Sequence, residues 1–118
     1  MAQNTAGQTL TMTVNASGSD VVGKDVFDAT AITATDYVEI ACGFKPTYIC
    51  WENQTDGTKG EWYFGMAADS CIKTVAAGTR TTVSSNAITP VDRGFRISQN
   101  ATTALILASK TCYFTARA

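Results

Sequence analysis

Histidine is absent from this 118-residue chain. That removes the commonest general base near neutral pH and the commonest metal ligand. It argues against Ser-His-Asp and Cys-His catalysis and against most zinc enzymes. No CxxC pair occurs either. The four cysteines, Cys42, Cys50, Cys71 and Cys112, would have to converge from separate segments to hold a metal. They are expected to be reduced, non-catalytic thiols that serve as small apolar core residues. No catalytic residue, metal ligand or cofactor is assigned. Long apolar runs are missing, and the longest falls far below the roughly 20 residues of a membrane helix. Runs of like charge are missing too, and the net charge is −1. Such a chain has no long-range field to gather nucleic acid or anionic lipid, so neither is an expected partner. The start, MAQNTAGQ, lacks the basic and apolar regions of a signal peptide, so the protein is expected to stay in the cell that makes it or in an assembly built there. No segment shows a sustained helical repeat, and there are only two prolines.

What the chain does have is an aromatic cluster. Residues 44–66, FKPTYICWENQTDGTKGEWYFGM, hold both tryptophans, two of the four tyrosines and two of the five phenylalanines. Large rings bury the most apolar area per residue, so the core is expected to form around them. The segment reads as a β-hairpin. Pro46 opens its first strand, Tyr48 to Glu52 follows, Asp56-Gly57 marks the turn, and Glu61 to Met66 returns. Two registers would bring Ile49, Trp51, Trp62 and Phe64 onto one face. One sets Glu52 against Glu61. The other sets Glu52 against Lys59 and Ile49 against Trp62. Cross-strand pairs contribute roughly 0.2–1 kcal/mol each and like charges repel, so the second is preferred. Tyr48, Cys50 and Tyr63 then share the opposite face, which is too apolar for plain solvent.

The rest is a series of short strands. Thr9 to Val14 alternates, with Leu10, Met12 and Val14 on one face and threonine on the other. Val21 to Ala31 is ambiguous between a short strand and an extended arm laid over a neighbour. Ile32 to Cys42 reads as a strand. Ala67 to Ser70 is a corner. Cys71 to Val75 and Thr79 to Ser84 flank Ala76-Ala77-Gly78, a hairpin loop with glycine placed for positive φ. Asp92-Arg93-Gly94 is a turn, Phe95 to Ser98 a strand, and Ala101 to Ala108, which contains ALILA, the most apolar strand and so the central one. Thr111 to Ala116 closes the chain with Tyr113 and Phe114 on opposite faces. Seven to nine short strands in about one domain's length predict an all-β fold: an antiparallel sandwich, jelly roll or small barrel.

The remaining motifs are bland. Three Asn-X-Ser/Thr sequons begin at Asn15, Asn53 and Asn100 and are expected by chance in so threonine-rich a chain. Asp56, Glu61 and Asp69 have no calcium-loop spacing. Nothing singles out a carboxylate pair for glycoside hydrolysis. The aromatics are interleaved with Ile49, Cys50 and Met66, which favours a core over a sugar- or base-stacking surface.

The order of features GFKPTYICWENQTDG, EWYFGMAADSCIKTVAAGTRT, GFRIS and ALILASKTCYFTA resembles the small β-rich head decoration, or cement, proteins of tailed bacteriophages. The resemblance spans roughly residues 40–118. It implies a non-enzymatic virion protein made in the host cytoplasm, commonly a homotrimer, that binds the major capsid protein on the outside of the capsid and stabilises it. A tail or fibre-base component and a carbohydrate-binding β-domain are the alternatives. Residues 1–30 are expected to form an extended arm, and Val21, Val22, Val26, Phe27, Tyr48 and Tyr63 the candidate interface.

Overall fold

The computed structural model describes residues 7–33 and 36–118. It is all-β. Nine antiparallel strands are joined in one sheet: β1 Gln8–Val14, β2 Asp20–Phe27, β3 Tyr37–Ala41, β4 Tyr48–Asn53, β5 Thr58–Tyr63, β6 Ser70–Thr74, β7 Arg80–Val91, β8 Gly94–Ser98 and β9 Thr111–Arg117. Their order across the sheet is β1-β2-β9-β4-β5-β6-β7-β8-β3, and no helix occurs among the described residues. The sheet curls on itself. Trp51 on β4 stacks on Phe114 of β9, with centroids 5.3 Å apart and planes 8° from parallel. Phe95, five strands further on from β9 in that order, meets both rings edge-on at 6.4 and 5.7 Å. Rings from distant strands meet only because the concave face closes over them, and edge-to-face and offset-stacked pairs of this kind add to the area they bury.

The 48–63 hairpin has the preferred register. Glu52 lies opposite Lys59, Ile49 opposite Trp62 and Tyr48 opposite Tyr63. Ile49, Trp51 and Trp62 face the core. Phe64 does not join them. The strand ends at Tyr63, and Phe64 stands 79% exposed beside the turn at Gly65 (φ 101°).

The curl has a structural cause at the corner of β6 and β7. Ser70 pairs with Ile88, yet its neighbour Cys71 pairs with Val83, so Ser84 to Ala87 loop out of the ladder. Bulges bend and twist a strand. The Asp69 carboxylate pins this one: it accepts from the N–H groups of Asn86 (2.9 Å) and Ala87 (3.0 Å) and from the Ser98 hydroxyl (3.0 Å). Beyond the bulge β7 continues to Val91, pairing with β8. Pro90 is tolerated there because β6 has already ended on that side.

Three expectations need correction. The run Ala101 to Ala108 is no strand. It belongs to the loop between β8 and β9, which drops Leu105 and Ile106 into the core. Its backbone is satisfied by side chains: the Trp51 indole N–H donates to the Leu105 carbonyl (2.9 Å), and the Asn53 amide to the Ala104 carbonyl (3.2 Å). Apolar residues were needed to fill the curl, and they arrived on a loop. Second, residues 8–27 are not an extended arm. They form the β1–β2 hairpin, and β2 is hydrogen-bonded to β9 from Asp20 to Val26. Residues 1–6 lie outside the described residues. Third, the strand expected over 32–42 spans only Tyr37–Ala41, with Val38 and Ile40 inward as its alternation requires; residues 34–35 are outside the described ones.

Candidate interaction surface

Strand alternation and the pairing registers together determine which side chains share the convex face. Reading across β2, β9, β4 and β5, one row is Asp20, Arg117, Tyr48 and Tyr63; the next is Val22, Thr115, Cys50 and Glu61; the next is Lys24, Tyr113, Glu52 and Lys59. Val26 follows beside Thr111. Val22 is 63% exposed, Tyr63 and Tyr113 each 43%, and Val26 36%. A shallow depression of about 210 Å³ lies among Val22, Cys50, Glu52, Tyr113 and Thr115.

Polar contacts hold these side chains in place. The Tyr48 and Tyr63 hydroxyls both donate to Glu61 Oε2, at 3.1 and 3.2 Å, and Lys59 Nζ stands 3.8 Å from Glu61 Oε1. The Arg117 guanidinium lies 5.0 Å from the Tyr48 ring centroid, and Lys24 Nζ 5.8 Å from that of Tyr113. Burial, then the neighbouring Cys50 and Glu61, raises the Tyr48 hydroxyl above its usual range, and the Glu61 charge does the same for Tyr63. Burial also raises the Cys50 thiol. All these groups are held in their protonated forms at neutral pH, which suits contact and hydrogen bonding rather than nucleophilic attack.

Of the candidate interface residues, Val22, Val26, Tyr48 and Tyr63 do share this face. Val21 and Phe27 do not. They point from β2 into the chain's own core, at 0% and 6% exposure, because the alternation of β2 sends odd-numbered residues inward. Tyr113 belongs with the exposed set; the alternation of β9 already separates it from Phe114.

A second concavity, of about 490 Å³, opens at the end of the hairpin, between Pro46, Trp62, Phe64, Met66 and Pro90, with Lys45 at its side. The carboxylates with cation-binding potential are spent elsewhere. Asp56 pairs with Lys110 (3.1 Å) and accepts from the Asn53 amide, Glu61 serves the tyrosines, and Asp69 the β7 bulge. Among the described residues no three His, Cys, Asp or Glu side chains gather as a metal site.

One inward residue stands apart. Asp25 on β2 is fully buried between Leu10 of β1 and Cys112 of β9, and neither carboxyl oxygen has a hydrogen-bond partner. Burial pushes its pKa up to about 7.

No family model matches the chain, and neither a curated protein nor a solved structure does.

Proposed function

We propose that the protein is a non-enzymatic structural component of a virion, a capsid decoration protein of a tailed bacteriophage, that associates with itself and docks on a protein shell through the convex face of β2, β9, β4 and β5. The observation that carries the docking is the gathering of Val22, Val26, Tyr63 and Tyr113, all exposed, on one face where Glu61 holds the Tyr63 hydroxyl and Lys24 lies near the Tyr113 ring. Apolar and aromatic side chains grouped in this way on a folded domain mark protein-contact surfaces. The phage assignment rests on the sequence resemblance. A sugar-stacking role fits less well. The Tyr48 and Tyr63 rings are inclined at 57° to each other and their hydroxyls are occupied by Glu61, so the pair offers no flat platform.

Co-sedimentation with expanded capsids built from the chain's own major capsid protein tests the reading. Binding to a shell is multivalent, so single substitutions are masked by avidity. The triple variant Val22→Asp, Val26→Asp, Tyr113→Asp is expected to stay folded and to lose capsid binding. Wild-type protein that leaves capsids undecorated, or a triple variant that decorates as well as wild type, overturns the reading.

A further inference from the structure

The two edges of the sheet are built differently. β3 is five residues long and carries Glu39, which is paired with Arg96 at 2.7 Å. β1, at the other edge, is QTLTMTV: seven residues without charge, proline or bulge, in unbroken register with β2. Short or charged edges resist adventitious pairing, whereas a long, regular, uncharged edge invites another strand.

The hydrogen-bond phase of β1 shows which strand fits. The backbone N–H of Asp28 donates to the Gly7 carbonyl (2.8 Å) and that of Asn15 to the Asp20 carbonyl (2.9 Å), one at each end of the β1–β2 ladder. In an antiparallel ladder hydrogen-bonded pairs alternate with non-bonded ones. The odd residues Thr9, Thr11 and Thr13 therefore direct their backbone groups to β2, and Leu10 and Met12 direct theirs away from the sheet. The side chains of Leu10 and Met12 lie on the concave side, where Leu10 is still 39% exposed.

We propose that two copies of the chain pair β1 to β1, antiparallel, about a two-fold axis at Thr11. This deepens the self-association named above and rests on it, not on the shell. The segment TLTMT is self-complementary in both respects that matter. Leu10 falls opposite the partner's Met12 in bonded pairs that exchange both N–H···O contacts, and Thr11 falls opposite itself in a non-bonded pair, as its inward-directed backbone requires. On the concave side Leu10 and Met12 cover one another; on the convex side threonine meets threonine, a favourable cross-strand pair. The contact is isologous and closes at two copies, joining two nine-stranded sheets into one and leaving the convex docking face of each open.

Sedimentation velocity of the full chain at high micromolar concentration, with charge-swap variants, tests the pairing. Wild type is expected as a dimer, not as the homotrimer that the sequence resemblance implies. Thr11→Glu and Thr11→Lys each place like charges across the axis on an exposed side chain. Each is expected to melt like wild type and to weaken the dimer several-fold, and an equimolar mixture of the two is expected to recover it. Mild oxidation of Thr11→Cys should give a linked dimer well above the background set by wild type. Thr13→Cys should not, because Thr13 faces the partner's Thr9. A wild-type oligomer that survives both charge variants, or equal linking by Thr13→Cys, overturns edge pairing while self-association stands. A monomeric wild type overturns both.

Discussion

Asp25 is the residue most at odds with its surroundings. A carboxyl with no donor is tolerated in a core only when it is neutral, because an unpaired buried charge costs several kcal/mol. Its folded pKa of about 7 exceeds the unfolded value of 3.8, so the folded state holds the extra proton between those values. The Asp25 contribution to stability is therefore expected to be greatest below about pH 4, to fall as pH rises from about 4 through about 7, and to level off above. The full drop from this group is on the order of 4 kcal/mol. Urea denaturation at pH 5 and pH 8 measures it, with Asp25→Asn as the control whose stability should stay flat over that interval. A wild type equally stable at both would show that the carboxyl finds a donor. The thiols behave similarly at higher pH: burial raises Cys71 to about 11 and Cys112 to about 12. All four cysteines are free. At pH 8 a thiol reagent should label Cys50, which is partly exposed, long before Cys71 or Cys112, which react only on unfolding. Equal labelling of all four in the folded protein would contradict that ordering.

At the scale of elements, the close approaches explain residues that looked out of place. A Cβ on Gly23 of β2 would stand 2.3 Å from Phe114 Cζ and 2.9 Å from Met12 Cβ, so the ring that stacks on Trp51 occupies the space a side chain would need. Gly23→Ala is expected to cost about 1–3 kcal/mol by overpacking. Unchanged melting would mean that the ring moves aside freely. The loop between β8 and β9 acts as a plug. Leu105→Ala should cost about 2–5 kcal/mol, the range for a buried leucine whose cavity relaxes only in part, and a change below about 0.5 kcal/mol, typical of a surface position, would show that the loop does not seal the core. The hairpin register was legible because it depends on local facts: a two-residue turn signal and one like-charge clash. The loop was not, because an apolar run reports burial and is silent about whether its backbone is bonded by a ladder or by Trp51 and Asn53 side chains. Strand β2 was half legible. Gly23 and Asp25 occupy inward positions where the apolar alternation should have continued; the glycine makes room for the Phe114 ring of β9, whereas nothing in the structure explains the aspartate.

At the scale of the molecule, residues 8–27 are part of the fold. Removing residues 1–30 would strip β1 and β2 from β9 and take Val21 and Phe27 out of the core. The truncated chain is expected to be unfolded or aggregated, judged by loss of cooperative melting in circular dichroism. A truncation that melts as wild type does would restore the view of this segment as an accessory arm. The same hairpin carries the dimer edge on β1 and part of the docking face on β2, so both proposed associations depend on one N-terminal element and are separable only by substitutions confined to the edge or to the convex face.

The all-β class, most strand positions and the sidedness of the central hairpin follow from the sequence alone, because period-two alternation, turn residues and cross-strand charge act over a few neighbours. The order of the strands, the corner that Asp69 pins, the burial of Asp25 and the choice of which valines of β2 face outward were decided only in the tertiary structure. The corner depends on Asn86 and Ala87, 17 and 18 residues from Asp69, the glycine of β2 on the Phe114 ring of β9, and the burial of Asp25 on the pairing of β2 between β1 and β9.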